Sequence, residues 1–370
     1  MALLAELVAA TLAAGEAAAQ HRVKVNGSVA LTQSYDDNVF AVPGDGLQDA
    51  ISRLSPQLGV EYRSMHFDMR ARYTHDAESF RRSPELSTLR ARQQATLDGR
   101  WTPWAGFEAL GGVSYVETNS PGEFTVINGL DVAGLQLRRQ LARRLATTGS
   151  LARRLGARNR AVVTHDFTRD QLVGGVMSAS HVATARFERQ VGPSDALGLG
   201  YVVRRFTALG QGSTSQAVTV GWTREVTPQA HLELKAGPRF AEGRVGAELG
   251  ATLRGRFHRG EATLSYVQTE TALIGRPTPV TAEGLSATFT RSLSRTLTVT
   301  AGPSVFQARG KGLEATVYGT NLDLAWRLGR HLSLAGSHQL SVQHGELDGH
   351  PRGEIVHNTV LLRLLAGTIN

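Results

Sequence analysis

The chain of 370 residues has room for two or three ordinary domains or for one large barrel. It contains no cysteine, which excludes a disulfide scaffold, a thiolate metal site and a cysteine nucleophile. Forty basic residues against 32 acidic ones give a net charge of +8, nearly all of it from arginine, since only three lysines occur; this suits an anionic partner without choosing one.

The chain opens with Met1–Gln20, an Ala/Leu-rich stretch in which Ala17-Ala18-Ala19 is a small-residue cleavage site. It reads as an export signal over residues 1–19. No Lys or Arg precedes Arg22, and Glu6 and Glu16 interrupt the apolar stretch, so the basic leading part of such a signal is missing here. Residues 20–370 are then one domain. No apolar run in them approaches the ~20 residues that a membrane helix needs.

From Arg22 onward apolar residues recur at every second position, the period of a strand. Phe67, Met69, Ala71 and Tyr73 alternate with Asp68, Arg70 and Arg72. Leu197, Leu199 and Tyr201 alternate with glycines and lead to Arg204; Leu232, Leu234 and Ala236 alternate with Glu233 and Lys235. Val245 to Leu253 alternates with Gly246, Glu248, Gly250, Thr252 and Arg254, and Leu322, Leu324 and Trp326 share a segment with Asn321, Asp323 and Arg327. Tight turns are expected near Ser64, Pro103, Leu141, Pro193, Pro228, Arg259, Ser294 and Gly329. Longer loops are expected at Leu209–Ser215, Ile274–Ala282, Gln307–Gly312 and His344–Gly353. Eight short turns with both chain ends on the same side predict 18 antiparallel strands, or 16 if the indistinct Leu151–Ser180 region holds fewer.

The faces decide the solvent. One sheet of so many strands cannot fill a dry interior, whereas a transmembrane barrel turns its apolar face to lipid and its polar face to a wet lumen. The fold predicted is thus an all-β, antiparallel, up-and-down barrel of the outer membrane, with outer-membrane lipid as its surroundings. Its lumen would be lined by Arg70, Arg72, Arg90 and Arg92; by Arg186, Glu188 and Arg204; by Glu233, Lys235, Glu248, Arg254 and Arg256; and by Asp323 and Arg327. Tyr62, Tyr73, Trp101, Trp104, Tyr201, Trp222, Phe257, Tyr266, Phe289 and Trp326 are placed for an interfacial aromatic girdle. The last residues, Ala366-Gly367-Thr368-Ile369-Asn370, lack the aromatic with which many such barrels finish.

Ser34-Tyr35-Asp36-Asp37-Asn38-Val39-Phe40, followed by Arg53-Leu54-Ser55-Pro56-Gln57-Leu58-Gly59-Val60-Glu61-Tyr62, resembles the start of an outer-membrane barrel family associated with exopolysaccharide and capsule secretion in Gram-negative bacteria. The resemblance implies a barrel that helps polysaccharide cross to the cell surface, working beside a periplasmic polysaccharide-export protein; passage would be passive, and the excess of arginine would favour an acidic polysaccharide, with the lumen residues above as polymer contacts. A general anion-preferring diffusion porin and a plugged structural or adhesion barrel are the alternatives. Asp36, Asp37 and Asn38 could offer oxygens to Ca²⁺, but such a run is more often a solvated turn, and neither metal nor cofactor is expected.

Catalysis and nucleic-acid binding find little support. G-x-S-x-G, H-E-x-x-H, a phosphate loop and nucleic-acid signatures are missing from the sequence. Ser337 and His338 are adjacent in a strand and face opposite sides. His231 and Glu233 share a face and read as polar lumen residues. The doublets Arg138-Arg139, Arg143-Arg144 and Arg153-Arg154 are expected near the periplasmic rim or in turns, because outward arginine is costly at the bilayer midplane.

Overall fold

A computed structural model describes residues 22–44, 46–124, 126–127, 130–131, 137–310, 313–346 and 353–367; the expected export signal lies outside them. The first strands are β1 (Arg22–Asp36), β2 (Asp49–Arg63), β3 (Phe67–Phe80), β4 (Thr88–Trp101) and β5 (Phe107–Thr118). A small hairpin, β6 (Val126–Ile127) and β7 (Leu130–Asp131), lies in the next connection. The wall continues with β8 (Ala142–Arg154), β9 (Asn159–Leu172), β10 (Met177–Gln190), β11 (Asp195–Ala208), β12 (Gln211–Thr227) and β13 (Ala230–Ala241). It ends with β14 (Arg244–Phe257), β15 (Gly260–Thr271), β16 (Val280–Ser292), β17 (Leu297–Gly310), β18 (Leu313–Arg327), β19 (Leu332–Glu346) and β20 (Gly353–Gly367).

Eighteen of these strands form one antiparallel sheet, each paired with its neighbours in sequence, with β5 meeting β8. The sheet closes where β1 pairs with β20, from Ser28↔Gly367 to Asp36↔Thr359. Closure gives every strand two neighbours, which a backbone in hydrocarbon requires.

The period-two pattern becomes two faces. On β2, Leu54 and Leu58 are exposed on the outside, while Arg53, Ser55 and Gln57 line a cavity inside. On β11, Leu197, Leu199 and Tyr201 point outward and Arg204 is buried inside. An apolar exterior around a charged interior belongs in a bilayer, and the architecture is that of an outer-membrane barrel.

Both described ends and the short turns share one end, the periplasmic one by the usual orientation of such barrels. Seven of the eight expected short turns are there. The third is not at Leu141: β8 runs unbroken from Ala142 to Arg154, and the turn is at 155–158. The arginine doublets and small residues of β8 hide its alternation. At the opposite end the expected loop Leu209–Ser215 shrinks to Leu209-Gly210. Both residues take positive φ (51° and 74°), the requirement of a type I′ hairpin, and Glu242-Gly243 repeats the device.

Aromatic residues mark both edges of the apolar band. Trp101, Trp104, Phe107, Trp222, Phe257, Phe289 and Trp326 lie at the periplasmic edge, where Trp104 and Phe107 are 4.9 Å apart and Phe257 stacks on Phe289 at 5.2 Å. Nearer the other edge, tyrosine hydroxyls reach toward the extracellular side. Tyr35 donates to Gln48, Tyr73 to Gln93 (3.4 Å), Tyr115 to Glu117 (3.3 Å), Tyr201 to Gln216 (2.9 Å) and Tyr266 to Glu283 (2.8 Å). An apolar ring with a wet tip suits a membrane interface.

Adjacent residues on β2 test the two faces. Leu58→Arg should cost roughly 2–4 kcal/mol of barrel stability and Gln57→Arg no more than about 1 kcal/mol. Equal costs in a urea refolding titration would overturn the inside–outside assignment.

Candidate functional site

The N-terminal motif is a latch. The β1–β20 ladder stops at Asp36↔Thr359, and side chains beyond it complete the seam. The Asp37 N–H donates to Asn358 O (3.2 Å), and Asp37 Oδ1 accepts the Asn358 N–H (2.7 Å). Asp36 Oδ1 lies 2.8 Å from His357 Nε2 and accepts the Asn38 N–H at 2.9 Å. Asn38, buried, donates through Nδ2 to Val42 O (2.8 Å) and Val356 O (3.1 Å) and accepts the Val42 N–H (3.1 Å). Donor atoms of Asp36, Asp37 and His357 come within 4.8 Å of one another, but their hydrogen bonds account for that grouping without an ion. Tyr35 is on the outer face with Gln48.

The extracellular mouth is narrowed from within. The described residues of the connection between β5 and β8 turn into the lumen rather than away from it. Its Phe124 is buried against Val116, Ala142, Leu172 and Ile274, and the Arg144 guanidinium sits 4.5 Å above the Phe124 ring. Arg144 also holds Asp170 through two bonds of 2.7 and 2.8 Å. Strand β7 lies against β16. Seven wall strands separate β8 from β16 in one direction and eight separate β5 from β16 in the other, so the connection crosses the mouth. Leu137 packs against two buried clusters at once: that of Phe124, and one on the far side formed by Leu273 of the β15–β16 connection with Val280, Ala282, Phe306, Ala308, Ala315 and Val317 of the wall. Arg139 ties the same connection to the near wall by donating to Glu78 (2.7 Å) and covering the Phe80 ring, and it also donates to Ser120 within the connection (3.0 Å).

Ion pairs brace the wall. Arg204 meets Glu248 at 2.6 Å and Thr269 at 3.0 Å, and Arg239 lies 3.8 Å from Glu248; the charged side chains are at most 7% exposed. Groups on β11, β14 and β15 meet because long side chains on the concave inner face converge. The wall between them is interrupted at Gly237-Pro238, where Pro238 has no N–H to donate and β12–β13 pairing skips from Ala217↔Arg239 to Val220↔Ala236. A Cβ at Gly237 would collide with Val218 O. The β14–β15 ladder starts only at Leu249↔Gln268, leaving Arg244–Glu248 unladdered to β15. Arg239 bridges that slit, donating to Ala247 O and Thr281 Oγ1, both at 3.1 Å.

Below the mouth, β1–β4 and β18–β20 enclose a cavity of about 590 Å³ lined by Arg53, Arg72, Arg92 and Arg363, with Asp76 and Asp323 as its acidic residues. Arg53 is anchored to Glu78 at 2.6 Å. Among the described residues, Arg72 and Arg363 make no ion pair.

The structure places the predicted lumen residues as follows. Arg70, Arg72, Arg92, Lys235, Glu248, Arg254, Arg256 and Asp323 are on the inner face. Arg186 and Glu188 pair there at 2.8 Å, and Arg186 also meets Glu233 at 3.1 Å; Glu233 is thus engaged by Arg186 rather than by His231. Arg204 is in the buried brace, and Arg327 is at the periplasmic end, donating to Arg295 O. Arg90 is a correction. A register shift between Asp76 and Glu78 opposite β4 breaks the alternation, so Arg90 turns outward, 3.9 Å from Glu117. The doublets also part company. Only Arg153-Arg154 is periplasmic; Arg138-Arg139 lies in the mouth connection, and Arg143-Arg144 tops β8 with one side chain out and one in. Sequence reasoning missed Arg53 and Arg239, and it named Arg139 and Arg144 only as members of doublets expected near the periplasmic rim or in turns. Consecutive apolar residues such as Val305-Phe306 were the available sign that part of the inner face is dry.

Neither a family model nor a curated protein matches the chain. Among solved structures, OccK3 (OpdO) of Pseudomonas aeruginosa is 11% identical over 94% of this chain and 96% of its own, at a TM-score of 0.49. An anion-selective porin from Comamonas acidovorans is 12% identical over 94% and 100%, at 0.41. The siderophore receptor PirA of Pseudomonas aeruginosa is 9% identical over 94% and 80%, at 0.44. These likenesses are too distant to carry a functional argument.

Two substitutions test the latch and the mouth. Asn38→Ala should lower barrel stability by about 1–3 kcal/mol through lost buried hydrogen bonds, read as a lower heat-modification midpoint on gels. Arg139→Ala should release the mouth connection from Glu78 and raise single-channel conductance; unchanged conductance would remove the connection from the conducting path.

Proposed function

We propose that this outer-membrane barrel is a diffusion channel for small solutes with a preference for anions. The observation that carries the reading is the mid-lumen cavity where four arginines face two aspartates. Arg72 and Arg363 are exposed to the lumen and make no ion pair among the described residues, so their charge is open to a passing solute. A basic wall in a narrow, low-dielectric passage raises the local concentration of anions, and hydrated, well-separated contacts let them leave again.

The connection across the mouth favours small solutes over a polymer. The residues that suggested polysaccharide export, Asp36 to Asn38, are engaged in closing the barrel, so their presence needs no cargo to explain it. Passage would be passive, driven by the solute gradient.

Reversal potentials in a planar bilayer under a KCl gradient test the proposal. The native channel should be anion-selective, and Arg72→Glu with Arg363→Glu should shift it toward cations. Cation selectivity in the native protein, or a reversal potential unmoved by the double substitution, would overturn the reading.

A further inference from the structure

Four arginines on the outer face face the bilayer, not the lumen. They are Arg90 on β4, Arg143 on β8, Arg169 on β9 and Arg205 on β11, all near the extracellular ends of their strands. Arg169 and Arg205 are exposed, and the Arg90 and Arg143 side chains are 71% and 44% accessible. The strands span five inter-strand steps around the wall, an arc of about 24 Å at roughly 4.8 Å each.

Their depth follows from the strand. Arg143 and Arg153 both point outward on β8, ten residues apart. That is about 33 Å along the strand, or about 25 Å of height at a tilt near 40°, which matches the apolar band of such barrels. The pair therefore brackets the hydrocarbon, and Arg143 emerges on the extracellular side. Glu117 links the hydroxyl of Tyr115 to Arg143, 3.3 Å to one and 2.7 Å to the other, so the arginines begin where the tyrosine tips end.

The belt is also lopsided. On this arc Glu117 is the acidic partner. On the other side of the barrel the same level carries Glu270, Glu283, Glu314 and Glu354 against Arg309. A rim that only marked the membrane boundary would need no such division of sign.

We propose that the arc formed by Arg90, Arg143, Arg169 and Arg205 binds the phosphate groups of the phosphorylated glycolipid of the outer leaflet, lipid A. Guanidinium forks match phosphate oxygens in pairs, and at this height on the outer face the lipid headgroup is the anion within reach. Arg143 meets Glu117 through Nε, and Arg205 makes no ion pair among the described residues.

The test is titration of the purified full chain in neutral detergent with diphosphoryl lipid A, its dephosphorylated counterpart, phosphatidylglycerol and inorganic phosphate, followed by native mass spectrometry. Diphosphoryl lipid A should bind best. The triple variant Arg143→Gln, Arg169→Gln, Arg205→Gln should bind it roughly a hundredfold more weakly, about fivefold for each charge removed. The same positions changed to Lys should retain most of the binding, and Glu283→Gln with Glu314→Gln should leave it unaltered. Equal binding of dephosphorylated lipid A or phosphatidylglycerol by the native protein, equal competition by inorganic phosphate, or full retention in a folded triple glutamine variant would overturn the assignment.

Discussion

A sheet in hydrocarbon has no solvent to receive an unpaired N–H or C=O, and the rest of this structure depends on meeting that constraint. Seventeen of the wall contacts join strands that follow one another along the chain; the eighteenth joins the two ends. That last contact has a nine-pair ladder, and the chain continues it with side chains. Asp36, Asp37, Asn38 and His357 take over where backbone pairing stops. A run of polar residues that invites a reading as a ligand site is thereby explained by closure alone.

Closure fixes a circumference, and a wide ring leaves an interior to be organised. Near the mouth this chain fills part of it with protein. Phe124 and Leu137 of the inserted connection meet Leu273 and Ile274 of the β15–β16 connection in an apolar packing, while Arg139 and Arg144 secure the inserted connection through ion pairs and ring contacts. Lower down, the interior stays wet and carries arginine in excess. Desolvated charge is costly unless paired, which fits the distribution seen: the most buried arginines, Arg204 and Arg239, adjoin Glu248, whereas Arg72 and Arg363 are exposed to the lumen.

The strand period, the strand number and the two-faced character of the wall were legible in the sequence because each is local: a side chain's face follows from its parity. What failed was local too where parity breaks. The register shift before Glu78 sends Arg90 outward, and arginine doublets disguise β8 as a strand, turn and strand. The inserted connection and the Arg204–Glu248–Arg239 brace were not legible, because both depend on which distant strands a bent ring brings together. Gly237-Pro238 was the visible trace of the interrupted pairing beside that brace. Its meaning appears only with β12 and β14 beside it.

The hairpins at Leu209-Gly210 and Glu242-Gly243 have a consequence for the shape of the mouth. Between β9 and β14 the extracellular connections are two to four residues long, while β1–β2, β5–β8 and β15–β16 carry the longer ones. Two of those longer connections, β5–β8 and β15–β16, pack inward on each other, so length at this rim is spent on filling the mouth rather than on height. The short hairpins leave the β9–β14 arc of the rim without such a cover. Substitutions in those hairpins would change the outer surface there without touching the basic cavity lined by Arg53, Arg72, Arg92 and Arg363.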